Sequence, residues 1–258
     1  MFEESNLFYK MVDWEKRLER ERSFFKKNLK NVLPTEGDIL DLGCGIGHHL
    51  TMIAQWGYKG LGLDFSEASI EMASQKSKQD NLDHLLEYIY ADMRELLNSI
   101  KNRKFDLIIC IGNSFALFPL EERLSIVDQA LSALKPRGKL ILQVVNYLKH
   151  ANETEWIINP SVFRNEEGML SFFVRIIEWA DERNEKVNMY VQRLHQDSVN
   201  FTEFIHSQKI TEFYVPKKSD FNYLNKNEKI RINLLGDYSG IEFKESSSND
   251  LIVIIDKN

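Results

Sequence analysis

Asp38-Ile39-Leu40-Asp41-Leu42-Gly43-Cys44-Gly45-Ile46-Gly47 is a short, mostly aliphatic strand that runs into a glycine turn. Glycine at 43, 45 and 47 lets the backbone bend sharply and come close to whatever faces it. Helical spacing resumes over residues 47–55. The unit then returns downstream. Gly60-Leu61-Gly62-Leu63-Asp64 predicts a second strand and residues 66–78 a helix. Leu86-Glu87-Tyr88-Ile89-Tyr90 predicts a third strand. Residues 105–111 form an almost unbroken apolar run, the mark of a strand buried on both faces. An amphipathic helix over 121–134 ends at Lys135-Pro136-Arg137-Gly138, and 139–145 is another buried strand. Strand alternating with helix predicts a parallel sheet covered on both faces.

The flanks differ. Leu7, Met11, Trp14, Leu18, Phe25 and Leu29 recur near the helical period, and Pro34, Glu36 and Gly37 close that segment. Over 150–215 strand-like runs (170–180, 187–196, 201–214) follow one another without a helix, which predicts an inserted antiparallel meander. A short helix at 220–224 and strands at 230–235 and 251–256 return to the core. The expected organisation is an N-terminal helix in 1–34, an α/β core over 35–149, a β cap over 150–215, and C-terminal strands over 216–258 that complete the core sheet.

Composition excludes several classes. The 258 residues are 43% apolar and 28% charged, ordinary for a soluble chain with a real core. No apolar run approaches the roughly 20 residues of a membrane span, and no basic-then-apolar start reads as a secretory signal. Cys44 and Cys110 are too few for a disulfide framework. They are expected as reduced, structural thiols, which suits the cytoplasm. The net charge of −6 counts against a free-standing nucleic-acid binder. No cluster has metal-ligand spacing, so no metal is expected, and the chain is expected as a monomer or homodimer.

Ligands of an open α/β sheet bind outside the carboxyl ends of its strands, and there the candidate residues collect. A dinucleotide fingerprint needs glycine at 43, 45 and 48, but position 48 is His. Asp41 would repel a pyrophosphate and attract an ammonium. S-adenosylmethionine (SAM) offers an amino group, a carboxylate and a sulfonium, and no phosphate. The helix after the turn presents free N–H groups to a carboxylate. Asp64, 17 residues after Gly47, stands where an acid accepts from ribose hydroxyls, with Phe65 along the adenine; alternatively Asp64 caps a helix. Asp92 is placed to accept from the adenine amino group, or to cap, and Met93 offers a soft apolar contact. His48 and His49 either help hold the cofactor carboxylate or lie on polar surface.

Residues 39–47, 60–65, 91–93, 105–114 and 134–145 resemble the successive motifs of class I SAM-dependent methyltransferases. Cys110-Ile111-Gly112-Asn113-Ser114-Phe115-Ala116 and Asn146-Tyr147 are similar to segments of glycine N-methyltransferase-like small-molecule enzymes. The resemblance implies a Rossmann-like, mostly parallel seven-stranded sheet. It places Gly43, Cys44, Gly45 and Gly47 around the methionine moiety, Asp64 on the ribose, Asp92 and Met93 at the adenine, and the backbone near Ile111 beside the ligand. It also implies that the N-terminal helix is a lid, with an aromatic residue over the sulfonium and an arginine on the carboxylate. Tyr9 and Arg20 are assigned those roles, with Trp14 and Arg17 close by. No similarity extends over 150–225.

The expected chemistry is in-line displacement of the SAM methyl group by an acceptor lone pair, which needs alignment and exclusion of water. Tyr9, Asn113, Tyr147 and Arg175 are candidate positioning groups. Arg175 shares a strand face with Phe173, Ile177 and Trp179. It reads as a clamp on a substrate carboxylate, or as partner to a buried acid with stacking on Trp179. Residues 151–225 carry 12 acidic and 8 basic side chains, a balance taken to favour a small cationic amine and disfavour nucleic acid. The alternatives are methylation of RNA or protein, and SAM binding without catalysis.

Overall fold

The computed structural model describes residues 12–30, 37–164, 168–196 and 204–258. The described residues of Trp14–Asn146 and Pro216–Asn258 form one compact unit, and those of Tyr147–Val215, with Val12 and Asp13, a second.

The first unit is built on a seven-stranded sheet. Its strands are β1 (Asp38–Leu42), β2 (Lys59–Asp64), β3 (Leu86–Tyr90), β4 (Phe105–Cys110), β5 (Leu134–Val145), β10 (Ile230–Leu235) and β11 (Asp250–Lys257), in the order β10-β11-β5-β4-β1-β2-β3. The first five run parallel, whereas β11 lies antiparallel to β5 and β10 antiparallel to β11. Helices α1 (Trp14–Lys30), α2 (His48–Ala54), α3 (Glu67–Gln79), α4 (Leu96–Ser99) and α5 (Leu120–Ala133) complete it. This is the expected Rossmann-like arrangement. The apolar runs are central: Ile39, Leu40, Leu42, Ile108, Ile109, Leu140 and Ile141 are fully buried.

Helix α1 was expected as a lid. Tyr9, with the rest of 1–11, lies outside the described residues. From Trp14 onward the helix packs into the core: Phe24, Phe25 and Leu29 belong to one cluster with Leu50, Met52, Ile53 and Ile109. At the other end of the chain, Arg123 on α5 is buried and paired to Asp220 at 2.8 Å, which fastens the 3-10 segment Lys218–Lys226 to the core.

The second unit carries a four-stranded antiparallel sheet of β6 (Glu155–Arg164), β7 (Leu170–Trp179), β8 (Lys186–Gln196) and β9 (Phe204–Tyr214), in chain order. Strand β6 was not foreseen. Pro160 sits inside it, and a proline cannot donate to a ladder. The sheet accommodates it because β6 is an edge strand with an irregularity in register between Ile158 and Ser161.

Phe25 has no exposed surface. Phe25→Ala is expected to destabilise the protein by about 3–5 kcal/mol, through lost burial and a residual cavity. Urea denaturation checks this. A loss below about 1 kcal/mol would mean that α1 is not a core element.

Candidate functional site

The glycine turn is held from below and from the side. The backbone N–H groups of Gly43 and Cys44 both donate to the carbonyl of Leu63, at 2.7 and 3.0 Å. Gly43 and Gly47 have φ of 72° and 79°, where a side chain is strained. They also lack room for one: a Cβ on Gly43 would lie 2.7 Å from Ser114 Oγ and 3.3 Å from Met93 Cε, and one on Gly47 would strike the Tyr88 hydroxyl. Ser114, Met93 and Tyr88 therefore crowd the turn. The helix that follows, α2, has only seven residues.

Asp41 and Asp64 stand at this turn with different partners. Asp64 is 8% exposed. Its Oδ2 accepts from Gly45 N at 2.8 Å and its Oδ1 from Ser66 N at 2.9 Å. Burial raises its carboxyl pKa, and the N–H groups of Ser66, Gly45 and Phe65 oppose that. Ser66, not Asp64, is the N-cap of α3. Asp41 is 1% exposed, and among the described residues its Oδ2 makes no hydrogen bond. Burial, foremost, pushes its carboxyl up to about 7; Asp64 pushes the same way, while His49 and Arg17 pull down.

A second cluster comes from α1. Glu21 is 2% exposed. Its two oxygens accept from Arg17 Nε and from His49 Nε2, each at 2.8 Å. Those two partners hold its carboxyl below the usual range, against burial. The Arg17 guanidinium lies over the end of β4, its nitrogens 3.7 and 3.9 Å from where a Cβ on Gly112 would be. Its Cζ is 5.0 Å from the Trp14 ring centroid, and Trp14 stacks on His48 at 4.1 Å. Burial lowers the His48 pKa to about 4, helped by Lys76, His49 and Arg17.

Several expectations change here. Arg20 is exposed; Arg17 is the arginine beside the turn. His49 is a buried partner of Glu21, not polar surface. Asp92 makes the capping contact, accepting from Arg94 N at 2.9 Å, and forms an ion pair with the Arg94 guanidinium at 2.6 Å. The Asn113 side-chain oxygen accepts from Val145 N at 3.0 Å. Tyr147 is 2% exposed, with Trp156 and Phe213 beside it in the second unit. Met93 and Ile111 are buried, and Phe65 is 61% exposed at the end of β2. Tyr90 is 63% exposed at the end of the neighbouring β3. Cys44 and Cys110 are buried free thiols, and burial raises both pKa values.

The residues fit SAM rather than a phosphate ligand. The orphaned Asp41 oxygen, aided by the nearby backbone, suits an ammonium, and Arg17 suits a carboxylate.

Comparison with known proteins agrees. Residues 39–138 match the methyltransferase domain family. Glycine/sarcosine N-methyltransferase of Halorhodospira halochloris is 34% identical over 138 residues, covering 53% of this chain and 50% of that one. The chain thus spans about half the length of the curated relatives it matches. A SAM-dependent methyltransferase from Clostridium acetobutylicum shares the fold, with a TM-score of 0.74 at 20% identity over 98% of this chain and 95% of that one. So does a SAM-bound amino pentose methyltransferase from Micromonospora echinaspora, with a TM-score of 0.71 at 15% identity over 100% and 97%. The α/β unit described above accordingly has the fold of SAM-dependent methyltransferases, and its residues 39–138 match the methyltransferase domain family.

Proposed function

We propose that the protein transfers a methyl group from SAM to a nitrogen of a small molecule. The observation that carries the reading is a pair of opposite receptors at the ends of neighbouring strands: a buried Asp41 oxygen with no hydrogen bond among the described residues, and a guanidinium held by Glu21 over Gly112. Together they suit the two ends of an amino acid. SAM, when bound, supplies a methyl group already activated on a sulfonium. Asp41 would hold the ammonium, Arg17 the carboxylate and Asp64 the ribose hydroxyls, with Phe65 and Met93 on the adenine. What the chain must then do is align donor and acceptor and exclude water. An amine must be neutral to attack, and a dry pocket lowers its pKa, so no dedicated base is required. Support for a small amine comes from the glycine/sarcosine relative and from the amino pentose enzyme that shares the fold. Incubation with labelled SAM, a pool of small amines and total cellular RNA and protein is expected to label the amine fraction. Label confined to macromolecules would overturn the reading.

Arg17 takes the carboxylate role first given to Arg20. Arg17→Lys is expected to raise the Kd for SAM at least fivefold, and Arg20→Ala to leave it within twofold. Calorimetry distinguishes them, and equal losses would refute the assignment.

Asp41 makes both stability and binding depend on pH. Its folded pKa, about 7, lies above its unfolded value, so the folded state holds the proton longer. Its contribution to stability is fully present below about pH 4 and is lost as pH rises through about 7. Without ligand, Asp41→Asn is therefore expected to match the native protein near pH 4 and to melt higher at pH 8. The ammonium needs the ionised carboxylate, so SAM affinity should climb with pH up to about 7. It should decline above about 8, where an α-amino group loses its proton. Asp41→Asn should flatten the acid limb and weaken binding by about 1.5–3 kcal/mol, the worth of a hydrogen bond to a charged group. An unchanged pH profile in the variant would count against this role.

A further inference from the structure

The negative balance of residues 151–225 conceals a separation of charge between the two faces of the four-stranded sheet. Residues paired across an antiparallel ladder share a face. Arg175 pairs with Ile158 on β6 and Val191 on β8. Val191 pairs with Lys209, and the diagonal neighbour Arg193 pairs with Phe173 and Ser207. Three cations, Arg175, Arg193 and Lys209, thus occupy one face. The acids of the strands lie on the other: Glu155 pairs with Glu178, Glu178 with Asn188, and Asn188 with Glu212. Among the described residues, the strands place no Asp or Glu on the Arg175 face.

That face is also the more buried one. Phe173 and Ile177, flanking Arg175 along β7, are 2% and 1% exposed, and Trp156, Val187 and Phe213 are buried with them. Arg193 Cζ lies 5.8 Å from the Phe173 ring centroid. Arg175 is itself partly buried. Among the described residues no hydrogen bond or ion pair involves it, and desolvation alone acts on its guanidinium. Trp179 donates its indole N–H to the His150 carbonyl at 3.2 Å. Of the two expectations for Arg175, the buried acid partner is not found among the described residues.

An arginine remains charged when desolvated, and an uncompensated charge on an apolar face is costly. A planar oxyanion offset against a guanidinium relieves that cost through two parallel hydrogen bonds. We propose that the Phe173–Arg175–Arg193 face binds a small organic molecule through its carboxylate or phosphate group. Net charge did not foretell this, since the strand acids Glu155, Glu178 and Glu212 lie on the opposite face.

The test uses the full chain and matched pairs of probes: glycine and glycinamide, benzoate and benzamide, phosphoethanolamine and ethanolamine. Thermal shift with the native protein is expected to favour the oxyanion of a pair by at least fivefold in apparent affinity. The carboxylate and phosphate pairs show which oxyanion is preferred. Arg175→Met should abolish the preference while the shift caused by SAM stays intact, and Arg175→Lys should retain part of it. Arg193→Gln provides a second variant should Arg175→Met fail to fold. Equal responses within every pair, or an undiminished preference in Arg175→Met, would overturn the anion site.

Discussion

The carboxylate of Asp64 fastens two turns with one side chain. One oxygen holds Gly45 in the glycine turn and the other holds Ser66 at the start of α3. The Leu63 carbonyl beside it takes the N–H groups of Gly43 and Cys44. The end of β2 therefore sets where β1 ends, and with it the positions of Asp41 and Met93. Gly62, two residues before Asp64, keeps this approach possible: a Cβ there would lie 2.7 Å from Cys44 Sγ and 2.5 Å from Tyr88. Acidic character at the end of β2 and a missing side chain near it are one requirement, not two.

Around that anchor the charges are graded by what already satisfies them. Asp64 has two backbone donors, Asp92 has Arg94, and Glu21 has Arg17 and His49. Asp41 is the buried acid left with an oxygen to offer. A buried, unsatisfied polar atom costs stability, and such costs gather where a ligand supplies the partner. The same reasoning separates Arg17, whose charge is shared with Glu21, from Arg175, on which burial alone acts.

Much of this was legible in the chain. Aliphatic runs gave the parallel strands, because a strand covered on both faces has little polar alternative. Glycine spacing located the turn, and the acids at strand ends were found with it. The Glu21 cluster escaped. Its signal was present: Glu21 falls between Leu18 and Phe25 at the spacing of the apolar stripe, where a lone carboxylate requires a buried partner. Arg20, one step around the helix, faces away. Strand β6 escaped because Pro160 reads as a break until an edge position is known. The two-sidedness of the β insert escaped because net charge sums over faces, and faces follow only from register.

The placement of β11 has a consequence for how the chain assembles. Strand β5 finds its antiparallel neighbour only at Asp250, which pairs with Val145 across the whole β insert. Until that stretch has left the ribosome, the edge of β5 stays open, and open edges recruit other chains. The strands of the insert, by contrast, pair in chain order through short separations. The parallel sheet must wait, since pairings distant in sequence form slowly. When β11 pairs with β5 it covers that edge and passes the edge position to β10.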